Sequence, residues 1–191
     1  MREYDLIAGW YVSQRDHQTG VREATSLASS IPRGSFVLDV GCGNGIPITR
    51  ALLSGGHRVI GLDSSSAMLA TFMDNCPEAF AVRGTIQSCP FADRMFDAAV
   101  AWGVMFHLNP DDAIRAIANV SRITKSGAPF LFTAGDVDGS NGKEGNMNGV
   151  AFRYFSYSVQ SYRRILGDHS FTLEDVHTDS GKNTYYLAKK T

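Results

Sequence analysis

The residues best suited to chemistry gather around one glycine loop, Asp39-Val40-Gly41-Cys42-Gly43-Asn44-Gly45. Closely spaced glycines let a backbone turn sharply and bring its N–H groups against a ligand. Asp63 lies 22 positions beyond Gly41. At the end of the next strand, a carboxylate can accept hydrogen bonds from both ribose hydroxyls of an adenosine. A nicotinamide dinucleotide would call for G-x-G-x-x-G, but here the third glycine comes one place early and Ile46 holds the sixth position. Asp39, two places before Gly41, adds a fixed negative charge that would repel a pyrophosphate. That charge suits a ligand carrying an ammonium and a sulfonium. A nicotinamide-dependent oxidoreductase is therefore the weaker reading of the loop.

Other chemistry-bearing residues lie further along. His107 follows Trp102-Gly103-Val104-Met105-Phe106, and its titration range suits proton acceptance near neutral pH. It is the candidate catalytic residue, against the alternative that it caps a helix or packs beneath a cofactor. Phe152, Tyr154, Phe155, Tyr157 and Tyr162 form an aromatic cluster with Arg153 among them. Arg153, Tyr154 and Tyr157 are candidate substrate-binding residues, because an arginine can meet an acidic group and aromatic rings can wall a pocket. Ordinary packing beside the last helix is the competing account. His169 and His177 are expected to be structural or at the surface.

Positioning these residues requires short buried strands alternating with helices, the pattern of a mostly parallel sheet covered on both faces. Strands are predicted at 36–40, 58–63, 80–83, 96–102 and 129–134, with two more at 172–178 and 183–189. The turn Asp179-Ser180-Gly181-Lys182 joins the last two as an antiparallel hairpin. Tyr185 and Tyr186 alternate on the final strand, so one of them is expected to face inward. Helices are predicted over 20–30, from the glycine loop to Leu53, over 67–75, from Asn109 onward and over 158–166. The helix after Asn109 would use Ile114, Ile117, Ala118 and Ser121 as its periodic face. Residues 135–149 hold five glycines and three asparagines, which reads as a mobile loop. The fold class is thus α/β: a Rossmann-like three-layer sandwich with a seven-stranded, mostly parallel sheet and an antiparallel C-terminal hairpin.

Composition limits the partners. The chain has 191 residues, enough for a single domain, and a formal net charge of −1. That balance offers no general attraction to nucleic acid or anionic lipid. Cys42, Cys76 and Cys89 lack metal-ligand spacing and form no disulfide framework, so no metal is expected and a reducing cytoplasm is the expected compartment. No stretch is long and apolar enough to span a bilayer.

Val37 to Gly45 resembles motif I of the class I S-adenosylmethionine (SAM)-dependent methyltransferases, of the small-molecule, type 11-like kind. Val59 to Leu69 resembles the family's second block, Gly84 to Phe91 its adenine-edge loop, and 96–108 and 121–132 the elements that follow. The resemblance implies SAM as cofactor, S-adenosylhomocysteine (SAH) as product, and methyl transfer to a small-molecule acceptor. It assigns cofactor contacts to Asp39, Gly41, Cys42, Gly43, Asp63, Ser64, Met68, Thr85, Ile86, Gln87 and Trp102. The family often has Asp where this chain has Thr85, which would shift adenine contact toward Ile86 and Gln87. Tyr4 to Tyr11 is similar to a leading stretch that folds over the cofactor in many members. Carried over, Tyr4 and Tyr11 meet the methionine end and Arg15 its carboxylate. The implied layout is one SAM-binding domain over 1–191, with a helical lid at 1–30 and a loop at 135–157 near the substrate. Nucleic acid and membrane partners are not expected. A SAM- or SAH-binding module without transferase activity would carry the same motif and stays open.

Overall fold

The computed structural model describes residues 3–191. Helices α1 (Glu3–Gln14) and α2 (Val21–Ser30) lead into β1 (Phe36–Val40), followed by α3 (Ile48–Ser54), β2 (Arg58–Asp63), α4 (Ser66–Asn75) and β3 (Phe80–Arg83). Next come β4 (Ala98–Ala101), α5 (Pro110–Ile123), β5 (Pro129–Ala134), the strands β6 (Lys143–Met147) and β7 (Val150–Tyr154), α6 (Val159–Asp168), β8 (Phe171–Thr178) and β9 (Thr184–Lys190). Seven strands form one sheet in the order β3-β2-β1-β4-β5-β9-β8. The first five are parallel; β9 runs antiparallel to both β5 and β8, inserted between them. This is the expected Rossmann-like architecture.

The sheet is buried on both faces, so its strands read as continuous apolar runs whose alternate residues serve different cores. Leu38, Ile60, Ala99, Phe130 and Phe132 join the core beneath α5 and α6. Val37, Val59, Ala98, Val100 and Leu131 join the core beneath α2 and α3. Tyr185 and Tyr186 follow the same rule: both are fully buried, Tyr185 in the second core and Tyr186 in the first. The expectation that only one would face inward fails because helices cover both faces of the sheet at β9, so each face is a core.

Helix starts follow local chemistry. Ser65 caps α4 by accepting from the Met68 N–H at 3.1 Å, and Asn109 caps α5 by accepting from the Asp112 N–H at 2.9 Å, satisfying donors a helix cannot satisfy itself. In α5 the buried stripe is Ala113, Ala116, Ile117, Val120 and Ile123. It lies one position away from the expected face, and Ile114 is left 37% exposed.

The segment 135–157 also departs from expectation. It contains the β6–β7 hairpin, closed by Asn148-Gly149 between the paired Met147 and Val150. Both turn residues have positive φ, 48° and 82°, the geometry of a tight hairpin turn, for which Asn-Gly is the favoured pair. Of the 1–30 segment, α1 lies against α4 and β7, while α2 packs on α3; residues 1 and 2 lie outside the described residues. Among the described residues no helix is long and apolar enough to cross a membrane, and no group of His, Cys, Asp and Glu could hold a metal ion.

Candidate functional site

The carboxyl ends of β1, β2 and β4 open into a cleft at the sheet's edge, the place where open α/β sheets bind ligands. Its floor is the glycine loop. Gly41 has φ +64°, and a Cβ there would stand 2.1 Å from Val104 Cγ2, so only glycine lets the loop close on β4. Gly43 has φ +55°, and a Cβ there would meet nothing within 4 Å. Gly43 therefore leaves room at the cleft wall, where a ligand can lie against bare backbone.

Asp63 organises the next wall. Its Oδ2 accepts from the Gly43 N–H at 2.9 Å, and its Oδ1 from the Ser65 N–H at 2.8 Å. The carboxylate is thus fixed between the glycine loop and the start of α4, with lone pairs left for ribose hydroxyls. Ser64, Met68 and Cys42 complete this end. Thr85, Ile86 and Gln87 form the opposite end. The Thr85 hydroxyl caps the 3₁₀ turn Ile86–Ser88. Asn119 pins that turn by donating to the carbonyls of Ile86 at 2.8 Å and Gln87 at 3.2 Å.

α1 supplies the outer wall through Tyr4 and Tyr11, and Arg15, just past its end, joins them. It is tied down by Asp5, whose Oδ1 accepts from the Ser65 hydroxyl at 2.6 Å and the Ala67 N–H at 3.1 Å. These bonds hold the Asp5 carboxyl below its usual pKa. The Arg15 guanidinium lies 4.0 Å from the Trp102 ring and hydrogen-bonds the Tyr11 hydroxyl, while its Nε is buried without a partner. A cation at the cleft wall with an unsatisfied donor is a ready partner for a carboxylate.

Sequence-predicted residues divide between two places. All the predicted cofactor contacts line the cleft except Asp39. Asp39 is 2% exposed, and its Oδ2 accepts from the Thr49 hydroxyl at 2.6 Å. Burial pushes its carboxyl up to about 7, so the fixed charge expected of it is weakened near neutral pH. His107 does not line the cleft. Its Nε2 stands 3.0 Å from the Tyr4 hydroxyl, and Tyr4 lines the cleft in its place. Burial lowers His107 to about 4, which makes it a weaker base than its ordinary value suggests.

The predicted substrate residues are also placed differently. Arg153 is exposed, donates to the Asn141 carbonyl at 3.2 Å and lies over the Phe155 ring. Tyr154 stacks against His107, with ring centroids 5.1 Å apart. Tyr157 packs edge-on against Tyr162 in the core and does not reach the cleft. Gly103, Val104 and Leu108 line the cleft without having been singled out. Gly103, at φ +76°, is signalled by its place directly after a buried strand, where a tight turn is needed.

The residues present fit SAM in their chemistry: Asp63 would accept from ribose hydroxyls, the Ile86 turn could receive adenine, Arg15 could pair with a carboxylate, and Tyr4, Tyr11 and Trp102 offer an aromatic wall to a sulfonium. A family model described as a methyltransferase domain matches residues 37–127. The chain is 31% identical over 131 residues to the Xenopus tropicalis tRNA (carboxymethyluridine(34)-5-O)-methyltransferase alkbh8, covering 67% of this chain and 19% of that protein. The chain spans about half or less of the length of the curated relatives it matches. Its fold is similar to that of the Burkholderia thailandensis 1,6-didemethyltoxoflavin-N1-methyltransferase, solved with its substrate and SAH. That match has a TM-score of 0.75 and 22% identity, and covers 99% of this chain and 87% of that one. It is also similar to the protein bound by the Haloferax volcanii methyltransferase activator Trm112. There the TM-score is 0.77 and the identity 17%, covering 98% of this chain and 95% of that one. The relatives named for tRNA overturn the expectation that nucleic acid has no place among the partners of such a chain. Near-neutral net charge was the ground for that expectation, and it describes the whole surface rather than one site.

Proposed function

We propose that this chain, which carries a class I SAM-dependent methyltransferase domain, transfers the methyl group of SAM to a small-molecule acceptor that reaches the cleft walled by α1. The reading is carried by the cleft, where Asp63, Arg15 and the open backbone at Gly43 stand in one cavity at the sheet's carboxyl edge. When bound, SAM supplies a methyl group whose leaving group is a neutral thioether, so the chain need provide no acid. Its own residues orient the reactants and exclude water. Asp63 holds the ribose, Arg15 holds the carboxylate, and Tyr4, Tyr11 and Trp102 close the methyl end against solvent.

A second reading takes a nucleoside of an RNA as the acceptor, and the tRNA-modifying relatives favour it. Both readings share the cofactor step. The first test is ligand-induced stabilisation: SAH at a hundred times its dissociation constant should add about 2.7 kcal/mol. Stabilisation by NAD but not by SAH would sink the proposal. Tritiated SAM offered with small molecules and, separately, with bulk tRNA then distinguishes the acceptors. Tight SAH binding with no label transferred to either would favour a binding module.

A further inference from the structure

Tyr4 and His107 form a pair, half-buried at the tyrosine and buried at the histidine, whose histidine the cofactor cleft does not use. The Tyr4 hydroxyl stands 3.0 Å from His107 Nε2 across 103 positions of sequence. Phe106 and Tyr154 flank the imidazole, with ring centroids 4.7 and 5.1 Å away. Tyr11 and Phe152 meet the Tyr4 ring edge-on at 5.1 and 5.3 Å. Only Tyr4 of the pair reaches the cleft.

We infer that Tyr4 meets the methyl acceptor and passes the acceptor's proton to His107, so that the acceptor atom is one that bears hydrogen, a hydroxyl or an N–H. The inference rests on the methyl-transfer reading above. Its first support is the Tyr4–His107 contact itself, a hydroxyl within hydrogen-bond reach of a ring nitrogen. His107 Nδ1 is buried and has no hydrogen-bond partner. With the ring's single proton on Nδ1, Nε2 is an acceptor. The Tyr4 O–H then donates to Nε2, and the lone pairs of its oxygen are free toward the cleft. Burial raises the tyrosine and lowers the histidine, so both rest neutral and no ion pair locks them.

The transfer balances. The acceptor atom forms a bond to the methyl carbon as the carbon–sulfur bond breaks, its electron pair staying on sulfur. The acceptor's proton moves to the Tyr4 oxygen while the proton of Tyr4 moves to Nε2. The imidazolium then holds the positive charge that the sulfonium gave up, and it later releases the proton to water. Tyr4 touches the acceptor, whereas His107 acts through Tyr4 and positions it. A carboxylate acceptor has no proton to give and would face the lone pairs of Tyr4.

Nitrogen-15 NMR of the full chain, with the His107 signals assigned by His107→Gln, tests the bond directly. The expected result is an Nδ1–H tautomer at neutral pH whose Nε2 signal moves in Tyr4→Phe. An Nε2–H tautomer would overturn the inference. With the acceptor returned by the tritium screen, Tyr4→Phe should lower kcat about 10²- to 10⁴-fold, far more than it changes KM for SAM. Full kcat in Tyr4→Phe, or label found on carboxylates alone, would also overturn it. Calorimetry with SAH separates the two claims. Wild-type protein that fails to bind SAH defeats the methyl-transfer reading, whereas tight binding alongside an Nε2–H tautomer defeats the relay alone.

Discussion

Asp39 and Asp63 sit on neighbouring strands, and burial gives them different work. Asp63 keeps a place at the cleft because backbone N–H groups hold it there. Asp39 is enclosed with one hydroxyl partner, and its pKa climbs from 3.8 to about 7. Because the folded value is the higher one, ionisation opposes folding. The stabilisation is full below pH 3.8 and is lost as pH rises through about 7. Asp39→Asn keeps an acceptor for Thr49 and removes the ionisation. The variant should be more stable than wild type at pH 8, by at most about 4 kcal/mol, and the gap should narrow toward pH 4.5. Urea denaturation at both values checks this; an equal gap at the two would refute it. The motif residues were legible because their spacing is local: Gly41, Gly43 and Asp63 sit on one strand–loop–helix–strand unit. The Tyr4–His107 pair was not, since each is an ordinary residue alone and only the fold brings them together.

Among the elements, α1 walls the cleft and the β6–β7 hairpin packs against α1 without lining it, and the two were read unequally well. For α1 the signal was a loose run of tyrosines and Asp5. Its anchoring could not be read, because Asp5 finds its partners in Ser65 and Ala67, some sixty positions away. Asp5→Ala removes these bonds while leaving the Ser65 cap on Met68 in place. Loss of about 1 kcal/mol of stability is expected, together with faster release of SAH measured by stopped-flow displacement. An unchanged release rate would mean that α1 does not govern exit. For the hairpin, Asn148-Gly149 was a sufficient turn signal, hidden by the glycine-rich segment around it. β6 is polar and mostly exposed, so apolar alternation gave no second cue.

At the scale of the whole molecule, the strand order was foreseeable from alternating strands and helices, while the bond that joins the far edge to the cleft was not. The Tyr185 hydroxyl on β9 accepts from Trp102 Nε1 at 3.4 Å and donates to Asp179 Oδ2 at 3.1 Å. Trp102 in turn carries Arg15 on its face. Tyr185→Phe should cost about 1 kcal/mol of stability and weaken SAH binding, measured by calorimetry, with no cleft residue changed. Unaltered affinity would show that the link is structural alone.

This same link sets an order in time. The glycine loop and Asp63 leave the ribosome early, yet Trp102 waits for a tyrosine near the end of the chain, on a strand inserted between two others. A growing chain can therefore display the cofactor motif long before it can hold the cofactor tightly. Were Tyr185→Phe to weaken SAH binding as expected, cofactor binding would mark chains whose sheet is finished, and a protein halted short of β9 would carry the motif without the grip.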